Sequence, residues 1–193
     1  MKPPWRRPFV LLVLVVVTQR GYELVISRRN ERRAGSALGT AGKRSFPLMV
    51  LLHTALFWMP LVERRVRPPR PRPAIVGPAI IVCALATALR LWVIRSLGIP
   101  WNVRGTIHAG MKVVDTGPYR YLRHPNYVAV ALEMAALPLA GSAPISAALL
   151  SAANALVLFP RVRSEEALLD AIPGYQASMG DKPRFIPRLR PKQ

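Results

Sequence analysis

The sequence predicts an all-α fold, a polytopic membrane bundle of about five transmembrane helices in a single membrane domain, residues 1–193. Three observations predict it. Hydrophobic residues make up 51% of the chain, they gather in five apolar runs, and 28 Lys+Arg against 9 Asp+Glu lie mostly between those runs. A basic soluble domain combines these features poorly, whereas lysines and arginines in cytoplasmic loops beside anionic lipid account for the charge without nucleic acid. No zinc-finger, helix-turn-helix or RNP-like pattern is present, so no nucleic-acid partner is expected. The single cysteine, Cys83, excludes an intrachain disulfide framework.

The elements follow in order. Phe9 to Ile26, Phe46 to Val62 and Ala74 to Ile94 are each near the length that crosses a bilayer as a helix, and together form an amino-terminal half, 9–94. Tyr127 to Ala140 and Ile145 to Pro160 are joined by the short uncharged linker "GSAP", which predicts a helical hairpin, 127–160, in the second half, 95–193. The start "MKPPWRRPFVLLVLVVVTQRG" resembles a signal peptide but lacks a small-x-small cleavage site, so an uncleaved first helix is expected. With the amino terminus outside, the inside segments carry 18 Lys+Arg and the outside ones 8. The carboxyl end is therefore expected to face the cytoplasm. The proline-rich basic stretch "ERRVRPPRPRP", 63–73, fits this least well, because it falls outside.

Polar residues inside the apolar runs are few, and an ionisable side chain there needs a partner or a cavity. Arg20 and Glu23, three residues apart, can pair on one helix face. Glu133 has no opposite charge nearby on its own helix and is open between a structural partner such as Arg90 and a place in the site. His53 reads as a helix-packing residue. The three histidines and one cysteine lack metal-ligand spacing, so no metal is expected.

Two constellations carry chemistry. In "DTGPYRYLRHPNYVAV", 115–130, Gly117-Pro118 marks a turn, and Pro125 suits the first turn of a helix, where its missing N–H costs nothing. Arg120, Arg123 and His124 then stand beside unpaired helix N–H groups, with Asn126 and Tyr127 in the first turn. That suits an anionic group, or an arginine collar on lipid headgroups. In "LFPRVRSEEALLDAIPGY", 158–175, Arg161 and Glu165 are spaced i,i+4 and Arg163 and Glu166 i,i+3. The hairpin returns this segment to the side where "RHPNY" lies, so donors and carboxylates meet there. A zwitterionic, sugar-bearing ligand would need both; a solvated, self-paired helix is the plainer alternative.

Together "GPYRYLRHPNY", the hairpin, "RVRSEEALL" and "RFIPRL", 184–189, resemble the isoprenylcysteine carboxyl methyltransferase family, integral membrane enzymes that use S-adenosylmethionine. Upstream, "RGYELVISRRNERRAGSALG", "FPLMVLLHTALF" and "LRLWVIRSLGIPWNVR" resemble a bacterial branch whose members O-methylate alkylpyrones and are encoded beside type III polyketide synthases, implying a functional link to such a synthase. The resemblance implies a cytoplasmic cofactor pocket containing Arg123, His124, Pro125, Tyr127, Glu165 and Glu166, with Tyr119 and Asn126 beside them. His124 and nearby N–H groups are assigned to the methionyl carboxylate, and Glu165 or Glu166 to ribose hydroxyls or the ammonium. Tyr119 and Tyr127 would flank the adenine or the sulfonium, where an aromatic face attracts positive charge. Arg163 and Glu166 are expected to be catalytic, Arg163 steering the acceptor oxygen. Trp101, Asn102, Arg104 and Glu133 are expected to contact the lipophilic small-molecule acceptor, whose tail lies among membrane lipids.

The family commonly has a second tyrosine where this chain has Ser178, and a glycine where it has Ala129. Methyl transfer from a sulfonium to a carboxylate or hydroxypyrone needs no strong general base, since such oxygens are largely ionised at neutral pH. The activity that the resemblance implies is O-methylation of an alkylpyrone or related polyketide lipid. An isoprenylcysteine-type carboxyl or phospholipid methyltransferase is the alternative within the class. A non-catalytic scaffold or lipid binder is the alternative outside it, while a transporter would call for repeat symmetry that the two halves lack.

Overall fold

The structure, a computed structural model, describes residues 6–187, and the signal-like first five residues, Arg188 and Leu189 lie outside that range. Five long helices dominate: α1 (Arg6–Arg33), α2 (Phe46–Val66), α3 (Pro73–Leu97), α4 (Pro125–Ala140) and α5 (Pro144–Leu169), with a short α6 (Tyr175–Met179). Proline opens α3, α4 and α5 and stands in the first turn of α2, positions whose N–H would have no helical partner. α5 runs nine residues past its expected end at Pro160, because Arg161 to Leu169 keep an inward face through Arg161, Val162 and Glu166.

Four segments are long and apolar enough to cross a membrane: Pro8–Arg33, Lys43–Val66, Pro73–Leu97 and Pro144–Leu169. α4 is not one of them. Its 16 residues span about 24 Å, short of a hydrocarbon core of about 30 Å. The expected five spans are therefore four long helices and one shorter apolar helix.

Surface exposure fits a hydrocarbon solvent. Leu11, Val25, Leu51, Ile81 and Leu85 are each more than 60% exposed, and Leu156 is 78% exposed, all on the long helices. α4 is the most enclosed. Val130, Met134, Ala136, Leu137 and Ala140 lie in one core cluster with Val16 of α1, Leu56 of α2 and Cys83 of α3. Ala129, where the family often has glycine, is fully buried.

Charge inside the bundle is paired. Arg20 Nη1 donates to Glu23 Oε2 at 2.7 Å, as their spacing predicts, and Arg20 Nη2 reaches Glu133 on α4. Arg90 of α3 donates to Glu23 through Nη2 at 2.9 Å and also through Nε. Glu133 thus finds Arg20 rather than Arg90.

A two-stranded antiparallel ribbon joins the loops that follow α1 and α3, β1 (Ala37–Thr40) against β2 (Thr106–His108). It is the departure from the all-α expectation, and strands this short leave little periodicity to read. Gly39 of β1 lies so close to α5 that a Cβ there would sit 2.7 Å from Leu168 Cδ2. Gly42 N–H donates to Ser164 Oγ at 3.1 Å, and Ala41 N–H to the Gly105 carbonyl at 2.9 Å. The three segments expected on one membrane side therefore meet at one end of the bundle.

At the other end, Glu63 accepts from Ile145 N–H at 3.1 Å, Ser146 N–H at 2.6 Å and Ser146 Oγ at 2.6 Å. It satisfies the orphan donors at the start of α5 from the last turns of α2. Glu63→Ala is expected to cost about 1 kcal/mol of stability, as loss of a helix cap does. The check is thermal unfolding in detergent, with Arg70→Ala unchanged as the control.

Candidate functional site

The loop before α4 is shaped by Gly117, whose φ of 59° opens a 3₁₀ turn over Gly117–Arg120. A Cβ there would meet Ser96 Oγ at 2.2 Å, so only glycine fits. The turn sends Tyr119 inward and leaves Tyr121 half exposed. His124 follows at the N-cap of α4, and Tyr127 lies on the helix's first turn.

The i,i+4 pair on α5, Arg161 and Glu165, faces α4 around Tyr127. The Tyr127 hydroxyl donates to Glu165 Oε2 and accepts from Arg161 Nε at 3.1 Å. Arg161 Nη2 also donates to the Arg104 carbonyl at 2.7 Å. Gly105, at φ 70°, leaves room for that guanidinium, since a Cβ would lie 2.7 Å from Nη2.

Glu166 occupies the neighbouring face and ties three groups together. It accepts from Arg184 Nη2 at 2.6 Å, lies 3.1 Å from His124 Nε2, and pairs with Arg123 Nη1 at 3.2 Å. The tail continues the clamp through its backbone. Arg123 N–H donates to the Pro183 carbonyl at 3.0 Å and His124 N–H to the Arg184 carbonyl at 3.1 Å. Lys182 Nζ donates to the Tyr119 carbonyl at 2.9 Å.

These elements enclose a cavity of about 420 Å³. Of the residues expected at the site, Tyr119, Arg123, His124, Asn126, Tyr127, Glu165, Trp101 and Asn102 line it. The others are placed elsewhere. Pro125 is buried in the first turn beneath the wall. Glu166 is off the wall, inside the clamp, and of the N–H groups near the helix start those of Arg123 and His124 are taken by tail carbonyls.

Arg163 lies on the far side of α5, its guanidinium 4.4 Å from the centroid of the Phe159 ring, beside a separate groove. A helix turns about 100° per residue, so Arg163 cannot share the wall with Arg161 and Glu165. Arg104 folds over the Phe46 ring at 5.8 Å and contributes only its carbonyl. Glu133 is held by Arg20 in the core. Asn102 lines the cavity, yet its amide closes its own turn: Nδ2 donates to the Pro100 and Thr106 carbonyls and Oδ1 accepts from Thr106 N–H at 2.8 Å.

Arg161, Tyr175 and Met179 also line the cavity and were not among the expected site residues. The i,i+4 spacing of Arg161 and Glu165 was the signal available for the first. Ser178, where the family has its second tyrosine, is exposed, and Met179 takes the inward place. Burial, reinforced by the nearby Glu165 carboxylate, raises the Tyr119 phenol well above its ordinary range. Burial likewise pushes the Tyr175 phenol up to about 12. Both phenols are neutral hydrogen-bond donors at pH 7.

Several buried polar atoms around this end have no hydrogen-bond partner among the described residues: Arg123 Nε, Asn126 Oδ1, Arg161 Nη1 and the Tyr175 hydroxyl. Leaving each alone costs on the order of 1–3 kcal/mol. The site is therefore built for something polar.

Comparison with known proteins bears on what that is. Residues 79–171 match the model of the isoprenylcysteine carboxyl methyltransferase (ICMT) family. The uncharacterised protein YpbQ of Bacillus subtilis is 30% identical over 162 residues, covering 83% of this chain and 96% of that protein. An uncharacterised protein of Haemophilus influenzae is 28% identical over 158 residues, covering 80% of this chain and 90% of its own length. Among solved structures, the eukaryotic intramembrane Ras methyltransferase ICMT superposes with a TM-score of 0.54 at 21% identity, over 68% of this chain. The chain spans about half, 48%, of that longer protein, and the likeness is one of fold.

The clamp carries a prediction that needs no activity. Glu166→Gln removes the charge that holds Arg184, Arg123 and His124, and is expected to raise the rate of tryptic cleavage after Arg184 by about tenfold, the weight of 1.4 kcal/mol. Equal cleavage rates in parent and variant would dissolve the clamp.

Proposed function

Because residues 79–171 match the model of the isoprenylcysteine carboxyl methyltransferase family and the fold superposes on that of a solved methyltransferase, we propose that the chain is a membrane methyltransferase of that family, transferring a methyl group from S-adenosylmethionine to an oxygen of a lipophilic acceptor. The observation that carries this reading is the set of unpartnered polar atoms on residues that line the cavity beside the "RHPNY" and "SEE" segments. They match what the cofactor would bring. Arg123 and Arg161 have N–H donors to spare for a carboxylate, and Glu165 and Asn126 Oδ1 are acceptors for an ammonium or ribose hydroxyls. The rings of Tyr119, Tyr127 and Tyr175 supply faces that attract a sulfonium. When bound, the cofactor supplies an electrophilic methyl group.

The protein's own share is position and dryness. Tyr127 is fixed from two sides by Glu165 and Arg161, and His124 is fixed by Glu166 and by its backbone bond to the tail. Groups held this firmly need little rearrangement to align an oxygen with a methyl carbon. The tail, strapped over the start of α4, screens this end of the cavity from water. No proton needs to be moved by the protein if the acceptor oxygen is already anionic. The roles expected of Arg163 and Glu166 pass to Arg161 and Glu165, the members of the same segment that stand on the wall.

For the acceptor, an alkylpyrone or related polyketide lipid is proposed from the resemblance of the upstream segments, with an isoprenylcysteine-type carboxylate as the reading that the family match itself favours. Four membrane-length helices support an integral membrane protein, and the balance of basic residues supports a cytoplasmic site. A type III polyketide synthase is the proposed source of the acceptor.

The test is calorimetric binding of S-adenosylhomocysteine to detergent-purified protein. The parent is expected to bind, and Glu165→Gln and His124→Ala each to weaken binding by about 1.5–3 kcal/mol, the worth of hydrogen bonds to charged groups. Arg163→Ala is expected to bind as the parent does. A folded parent that does not bind would leave a lipid-binding scaffold as the function.

A further inference from the structure

The cavity is longer than a cofactor site at the bundle end requires. Away from the tail it continues between α1, α2 and α3, where Arg20, Glu23, His53 and Arg90 line it together with Trp58. His53 is seven residues from the start of α2 and Arg90 seven from the end of α3, about 10 Å of helix in each case. The cavity therefore has a second polar pole inside the apolar part of the bundle.

Its charges balance: the guanidiniums of Arg20 and Arg90 face Glu23, and Glu133, off the cavity wall, takes Arg20 from behind. Pairing explains why they are tolerated but not what their remaining hydrogen-bonding capacity is for. Arg20 Nε and Arg90 Nη1 are buried and have no acceptor among the described residues, although Arg90 as a whole is only 5% exposed. Both belong to guanidinium groups, which donate hydrogen bonds and accept none. His53 Nδ1 lies 2.8 Å from the Met49 carbonyl. A carbonyl only accepts, so Nδ1 carries the proton, and in the neutral ring Nε2 is left as an acceptor. A knot of ion pairs that merely held three helices together would need neither a cavity in front of it nor spare N–H groups. Ionisable groups kept at this depth are costly, and a ligand that uses their spare capacity offsets the cost.

We propose that Arg20, His53 and Arg90 form an acceptor-recognition site. It binds an oxygen of the acceptor other than the one methylated, a carbonyl, enolate or carboxylate oxygen on the head group of a hydrocarbon chain. The arginine N–H groups donate to that oxygen, and His53 Nε2 takes a hydroxyl proton where the head group has one. Phe57, Trp58 and Val50 around this pole accommodate the apolar part of the ligand. This rests on the methyltransferase reading, and it assigns specificity to Arg90 of α3 together with helices α1 and α2, the last two of which lie outside the stretch matched by the family model. An acceptor with a single oxygen would leave the pole unsatisfied, and sites built to hydrogen-bond a substrate reject analogues that lack the group.

The experiment compares two probes with the same alkyl chain, an alkyl hydroxypyrone and an alkyl tetrafluorophenol, the second likewise ionised at neutral pH but lacking the remote oxygen. It uses the full-length protein in lipid nanodiscs, with Arg90→Lys, which keeps a cation opposite Glu23, and His53→Phe, which keeps the ring volume. In the parent, KM for the pyrone is expected to lie at least about tenfold below that for the phenol. In each variant the pyrone KM rises about tenfold, while the phenol KM and the affinity for S-adenosylhomocysteine stay within about twofold. His53→Gln, which restores an acceptor, recovers most of the loss.

Variants that bind S-adenosylhomocysteine normally and treat pyrone and phenol as the parent does would overturn the recognition site. So would equal KM changes for both probes, which mark a merely structural knot. If the parent binds no S-adenosylhomocysteine, the methyltransferase reading falls instead. Calorimetric binding of the pyrone to parent and variants then decides the recognition site by the same differences.

Discussion

Carboxylates are scarce in this protein, and most of its internal order depends on how they are shared. Nine acidic residues face 28 basic ones, in a chain whose helices present apolar surface to their surroundings. A buried cation there must have an acceptor, and water does not supply one. Several acidic residues have therefore become junctions. Glu23 takes Arg20, Arg90 and Gln19; Glu166 takes Arg123, Arg184 and His124; Glu63 takes the first N–H groups of α5. Each joins elements far apart in sequence. Removing one would leave several partners unsatisfied at once, which is a larger loss than a single pair.

Two of these junctions define the site between them. Glu166 fixes the start of α4 and draws the tail across it, while Glu23 fixes α1 to α3. α4, too short to cross a bilayer alone, is held at both levels: by His124 at its start and by Glu133, which meets Arg20, two turns further in. A continuous cavity between a clamped entrance and a charged interior pole follows from that arrangement.

Much of this was legible in the sequence. Apolar runs and prolines gave the long helices, and the short "GSAP" linker gave the α4–α5 turn. The meeting of "RHPNY" and "RSEE" followed from the hairpin, since a chain that crosses and returns must bring its two ends to one side. The ribbon β1–β2 was not legible, because three or four residues with a bulge carry no period. Nor was the sorting of "RVRSEE" into an inward and an outward face. Spacing places Arg161 with Glu165 and Arg163 with Glu166, but which pair faces the cavity depends on the rotation of α5, set by Val157, Leu158 and Val162 in the interior. The tail's grip on α4 was equally hidden, since it is made through the backbone carbonyls of Pro183 and Arg184. A backbone contact leaves no mark on residue identity.

The same reasoning bears on why the proposed chemistry belongs in such a bundle. In water, a cofactor bearing a sulfonium and a long-chain acceptor have little reason to meet, because one is soluble and the other is not. A cavity that begins under a basic tail and ends among Phe57, Trp58 and Val50 offers each partner its own solvent within one volume. The groups near the entrance are unpartnered donors and acceptors with rigid supports, and those near the interior pole have charge balance with two N–H groups left over. Neither end requires a strong base, because aligning an already acidic oxygen with the methyl carbon is a matter of geometry and exclusion of water. What the sequence spends on polar residues inside its spans is, on this view, spent on placing the acceptor, and catalysis is left to proximity.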